Sequence, residues 1–142
     1  GTATDIGTGR SYSSTGGAAT VSFTPGSGGG LPSSYRINGS SDSVYATGSS
    51  SPITVTGLTP GSTYTFSGTS ANNFGTSNSS GNSNQITATT VPQNPTAGAS
   101  SIVTGTAYGS SPSATLTFTA GNTGGTSITN YKYLLMPMRY SS

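Results

Sequence analysis

Cysteine, histidine, glutamate and tryptophan are all missing from this chain. Without cysteine there is no disulfide, no thiolate nucleophile and no zinc site of the cysteine type. That absence fits the cytoplasm and the outside of a cell equally. Without histidine or glutamate, acid–base work would fall to an aspartate, a tyrosine or Lys132. Charge is scarce as well, at 4% of 142 residues. The charged set is Asp5, Asp42, Arg10, Arg36, Lys132 and Arg139. The net charge of +2 rests on four scattered bases, which form no basic patch to hold nucleic acid. No apolar run approaches the roughly twenty residues of a membrane-spanning helix. The opening residues do not have the pattern of a signal peptide. No methionine opens the chain, so the expectation is a processed product or an excerpt of a longer polypeptide.

Serine, threonine, glycine and asparagine fill the space that charge leaves. Hydrophobic content is low, at 29%. Disordered tails stay extended through high net charge, which this chain lacks. Its residues suit short strands with solvated faces and tight turns.

Residues 51–66 organise the rest. Ile53 and Val55 alternate with Thr54 and Thr56, the period of a half-buried strand. Thr59, Pro60 and Gly61 form a turn, because proline presets φ and glycine tolerates positive φ. Tyr64 and Phe66 alternate with Thr65 and Ser67 on the next strand. Leu58, Pro60 and Tyr64 together suggest a tyrosine corner, in which the phenol bonds back to the backbone upstream.

Further strands are expected at 2–8 (anchored by Ala3 and Ile6), 18–24 (Ala19, Val21 and Phe23 inward), 34–38 (Tyr35 and Ile37 inward) and 43–47. The strand carrying Tyr64 runs on to about residue 71. A polar loop spans 72–81, and 85–90 closes the unit with Ile86 and Ala88 inward. Seven short strands at this spacing predict an all-β antiparallel sandwich over residues 1–90. Residues 91–95 carry two prolines and read as a stiff linker.

After the linker the pattern restarts. Residues 114–119 (Ala-Thr-Leu-Thr-Phe-Thr) repeat residues 19–24 (Ala-Thr-Val-Ser-Phe-Thr), and the glycine-rich turn at 121–125 repeats that at 26–30. Tyr131 matches Tyr35, Ile102 matches Ile6 and Tyr108 matches Tyr12. A repeat near one sandwich length means tandem β-domains. The second copy, residues 96–142, has no counterpart of residues 51–66. Half a sandwich leaves an apolar face and strand edges uncovered, so the chain continues, or another element covers this half, such as strands donated by a neighbouring subunit. Leu134, Leu135, Met136 and Met138 are the candidate assembly interface.

The first copy resembles a fibronectin type III domain, an Ig-like sandwich. Phe23, Tyr35 and the Leu58, Pro60, Tyr64 set carry the resemblance, with residues 71–75 (Ala-Asn-Asn-Phe-Gly) similar to the end of that family's sixth strand. Gly68 and Ser70 depart from it, standing where larger residues are usual, which implies a thin core. The serine- and threonine-rich style is similar to repeats in virion structural proteins of tailed phages and in secreted bacterial surface proteins. The resemblance is specific for fold, not function.

No catalytic, cofactor or metal residue is expected. The two aspartates lie on separate elements, a serine nucleophile has no histidine as base, and two isolated carboxylates do not make a calcium site. Lys132 reads as a solvated strand residue. Residues 26–30 lack the Lys-Ser/Thr and helix of a phosphate loop. Residues 38–40 and 78–80 match the N-glycosylation pattern, which matters only where the host has that machinery. Among the loop aromatics, Tyr12 and Tyr108 recur at matching places and read as structural. Phe74 and Tyr45 are the candidate surface contacts. The implied role is a non-enzymatic structural or interaction module of a virion or extracellular surface, a phage appendage or capsid-decorating protein foremost. Its partners would be copies of itself or other structural proteins. The alternative is a carbohydrate- or cell-surface-binding module.

Overall fold

A computed structural model of the chain describes residues 1–7, 14–41, 43–103 and 113–134. Arg10, Tyr12, Asp42, Tyr108, Leu135, Met136, Met138 and Arg139 lie outside the described residues. The described residues form strands and no helix. In order they are β1 (Thr2–Asp5), β2 (Gly17–Ser22), β3 (Ser34–Gly39), β4 (Tyr45–Gly48), β5 (Ile53–Leu58) and β6 (Thr63–Tyr64). There follow β7 (Phe66–Asn72), β8 (Gly75–Thr76), β9 (Ile86–Thr87), β10 (Thr96–Val103) and β11 (Ser113–Thr119).

Two larger antiparallel sheets, with the short β6-β9 pair, share one core. The first has the order β1-β2-β5 and the second β4-β3-β7-β8. Alternation sends Ala3, Ala19, Val21, Ile53 and Val55 inward from the first sheet, and Tyr35, Ile37 and Phe66 inward from the second. Leu58 also reaches the core, although it falls three residues after Val55. The register explains this. Gly17 pairs with Leu58 while Ala18 pairs with Thr56, so Gly57 is passed over as a bulge. Its φ of 80° is a conformation that glycine adopts without a Cβ penalty.

The strand expected to run from Tyr64 to residue 71 is divided. Thr63 and Tyr64 pair with β9, and from Phe66 onward the chain pairs with β3. Thr65 is the crossing point, so the two buried aromatics pack beside one another from different sheets, 6.3 Å between ring centroids. The Tyr64 hydroxyl accepts the Thr59 N–H at 3.0 Å and ties the turn to the strand behind it. Removing that acceptor in Tyr64→Phe is expected to cost about 1–2 kcal/mol in urea unfolding, with the fold retained.

Two further expectations differ from the structure. Ile6 is exposed, because β1 ends at Asp5, whose carboxylate turns instead to Thr89. Residues 72–81, expected as a polar loop, start with β8 and then line the edge of β7. Ser77, Ser80 and Ser83 donate their N–H groups to the carbonyls of Ser70, Gly68 and Phe66, each at 2.8 Å. Their hydroxyls accept the N–H groups of the same three β7 residues at 2.9–3.0 Å. Each hydroxyl then donates to the carbonyl of the next residue. Serine oxygen thus stands where a strand carbonyl would, and three residues advance for every two of β7. The edge of β7 is fully bonded, yet the segment covering it presents no regular strand to another chain.

Beyond residue 95, β10 and β11 form a second antiparallel hairpin. It repeats the pairing of β1 with β2. It also repeats a ring contact: Phe118 lies 4.6 Å from Tyr131 at 49°, as Phe23 lies 4.9 Å from Tyr35 at 52°.

Candidate functional site

The residues able to do chemistry are apart. Asp5 accepts the N–H and the hydroxyl of Thr89, at 3.2 and 2.5 Å, and so fastens the end of β1 to the segment after β9. Asn84 does the same one step earlier, its amide exchanging two bonds with the backbone of Ala3. Lys132 is exposed. Among the described residues no three potential metal ligands meet. What the fold offers is surfaces.

The first surface is the outer face of β4-β3-β7. Register aligns Thr47, Arg36 and Thr69 in one row and Tyr45, Asn38 and Ser67 in the next. Tyr45 opens β4 and is 54% exposed. The Arg36 guanidinium lies 4.0 Å from its ring centroid, and the Arg36 Nε donates to Asn38 Oδ1 at 2.7 Å. One face of Tyr45 is therefore taken by a cation. Arg36 was not singled out from sequence, because the diagonal between the two rows appears only once the register is known.

The second surface is the end of the sheets. Phe74 sits at the β7–β8 turn, 98% exposed, with its N–H held by Asn72 Oδ1 in an Asx-type turn. Beside it runs the turn of residues 26–30, followed by Leu31, which is 92% exposed. Phe74, Gly26, Gly29 and Gly30 line one shallow depression. Asn72 holds this turn in place, its Nδ2 donating to the Gly29 carbonyl at 3.1 Å. Tyr45 and Phe74 lie at opposite edges of their sheet, so the two candidate contacts do not form one site. Next to the depression opens a cleft of about 320 Å³ between the sheets, lined by Val21, Phe23, Tyr35, Phe66, Gly68 and Ser70.

The third surface belongs to β11 and the residues that follow it. Leu116, Phe118 and Tyr133 are exposed, and Leu134 is 81% exposed. Leu135, Met136 and Met138, the rest of the candidate interface, fall outside the described residues. Leu58 is fully buried, Tyr64 is buried and Pro60 half-buried, so these three hold the fold and offer no contact.

The second hairpin does not hang free of the first sheets. Thr90 N–H donates to the Gly124 carbonyl, and Gln93 N–H to the Asn122 carbonyl, each at 2.8 Å. Gln93 Oε1 accepts the Asn122 N–H at 3.1 Å. The linker read from its prolines is strapped down by the glycine-rich turn that follows it. Comparison with protein-family models, with curated proteins and with solved structures returned no match to this chain.

Proposed function

We propose that the chain is a non-enzymatic structural module of an extracellular assembly, built from a fibronectin type III-like sandwich (residues 1–90), a linker (91–95) and a partial second repeat (96–142). The sandwich reading is supported by two sheets closed over one core and by the bond from Thr59 to the Tyr64 hydroxyl. The matching Phe–Tyr contacts support the repeat. The assembly reading rests on one observation. From β11 onward the chain exposes Leu116, Phe118, Tyr133 and Leu134 on an almost uncharged molecule, and exposed apolar surface marks interaction sites. A virion appendage or capsid-decorating protein is the setting that the serine- and threonine-rich style favours. Light scattering tests this. The full chain is expected to form a defined oligomer, and Leu116→Asp with Leu134→Asp to give monomer. An unmodified chain that is already monomeric at high concentration sinks the assembly reading.

A second reading, a carbohydrate-binding surface, is favoured by the rows of hydroxyl and amide groups around Arg36 and Tyr45. A glycan array would show ligands lost in Tyr45→Ala and kept in Leu134→Asp.

A further inference from the structure

We infer that the turn of residues 26–30, with Leu31 and Phe74 beside it, is the docking site for the extended linker of a preceding repeat of this kind. Repeats then join head to tail. This deepens the structural-module reading, since it names the partner and the surface.

One such joint already exists inside the chain. The turn of residues 121–125 grips the backbone of Thr90 through Gln93 by the bonds described above. The fit is close enough to demand glycine. A Cβ at Gly124 would lie 2.5 Å from the Thr90 carbonyl, and one at Gly125 would lie 2.6 Å from the Gly61 nitrogen. Gly124 and Gly125 have φ values of 73° and 93°.

The turn of residues 26–30 shares two left-handed glycines with the gripping turn and has no occupant among the described residues. Gly29 and Gly30 stand in the places of Gly124 and Gly125, with φ values of 81° and 89°. A Cβ on Gly26, Gly28 or Gly29 would meet nothing within 4 Å. Residues 26–31 are all exposed. The conformation therefore stands ready without a linker in place, held by Asn72 on one lone pair of the Gly29 carbonyl. The second lone pair is available to an incoming N–H. Ser27 takes the place of Asn122 and offers the backbone groups that Gln93 uses in the existing joint.

The occupant's chemistry follows from the occupied copy. It is an extended, uncharged segment of the type Thr-Thr-Val-Pro-Gln, donating two backbone N–H groups and accepting one on its glutamine oxygen. Residues 90–93 of this chain are already engaged by the turn at 121–125, so the segment comes from another repeat. Phe74, which lines the depression, and Leu31, which follows the turn in sequence, are almost fully exposed apolar side chains able to cover its valine and proline. A contact between one end of a repeat and the other end of the next is heterologous, and it propagates as an array.

The test adds a copy of residues 86–95 ahead of Gly1 in the full chain. Tethering keeps the effective concentration high. Hydrogen exchange is read at the appended Thr90 and Gln93 amides, with the native Thr90 and Gln93 in the same molecule as the internal standard. The expected result is protection at both appended amides, about tenfold or more over an unstructured backbone, together with shifted Leu31 methyl signals. A second extended chain, carrying Thr90→Pro in the appended copy, is expected to lose the protection at the appended Gln93. Appended amides that exchange as unstructured backbone, while the native pair stays protected, would overturn the inference. The assembly reading is judged separately, from the molar mass of the unextended chain.

Discussion

Alanine at Ser77, Ser80 and Ser83 together is expected to lower the unfolding free energy by about 2–6 kcal/mol, read as a reduced midpoint in urea. The three hydroxyls are the acceptors for the N–H groups of Ser70, Gly68 and Phe66. The backbone of residues 77–83 lies along β7, but its carbonyls are out of phase, because three residues advance for two. Deleting the hydroxyls leaves three amides that no neighbouring carbonyl is placed to serve. The cost is uneven. Ser80 and Ser77 bond amides at exposed positions, which water can satisfy, so each contributes about 0.5–1.5 kcal/mol. Ser83 is buried and serves the buried Phe66. Ser83→Ala therefore carries the largest share, about 1–3 kcal/mol. Ser79→Ala, within the same segment but off the three-residue spacing, is expected to stay within about 0.5 kcal/mol of the parent. If the serines merely solvate a loop, all four substitutions will look alike.

Much of the fold was legible because period two writes the buried face directly. Ala19, Val21, Tyr35, Ile37, Ile53 and Val55 were read as inward and are buried. The errors have a common cause. Residues 77–83 contain no apolar residue, so hydrophobic alternation says nothing there. The signal present is a serine every third position, which is the period neither of a strand nor of a helix. It becomes meaningful once β7 supplies unpaired amides at every second residue. Ile6 misled for a related reason: an apolar residue was taken as an anchor, while Asp5 beside it holds β1 in place through Thr89. The candidate site was less legible. Phe74 was found by its loop position and is exposed. Its neighbours Gly29 and Gly30 came from another part of the chain, and only the closure of β3 on β7 brings the two loops to one end. The two glycine-rich turns were recognised as repeats. That one of them holds a linker could not be read, because the grip is made by backbone atoms, which every sequence has.

Gly124→Ala and Gly29→Ala form a matched pair that separates backbone strain from docking. Both glycines have φ near the same positive value, 73° and 81°, so alanine at either is expected to cost about 1–2 kcal/mol for the left-handed conformation. Their surroundings differ. The new methyl at 29 meets open space, whereas the one at 124 meets the Thr90 carbonyl at 2.5 Å and the Val91 carbonyl at 2.7 Å. Real Cβ atoms do not approach backbone oxygen that closely, and neither oxygen has a side-chain torsion that could move it away. The linker must separate from the turn. The bonds from Thr90 to Gly124 and from Gln93 to Asn122 are lost with it. Hydrogen exchange at Thr90 and Gln93 is thus expected to rise to near the unstructured rate in Gly124→Ala and to be unchanged in Gly29→Ala. Amides of β2, β3 and β7 should keep their protection in both variants, because none of these strands touches the linker bonds. Small-angle scattering on the same samples reads the mechanical consequence. Once the turn no longer grips the linker, the second hairpin is less restrained, and the distribution of intramolecular distances should broaden in Gly124→Ala alone. Protection retained at Thr90 and Gln93 in that variant would mean that the contact yields to a methyl group, and a contact that soft cannot hold the second hairpin at a fixed angle.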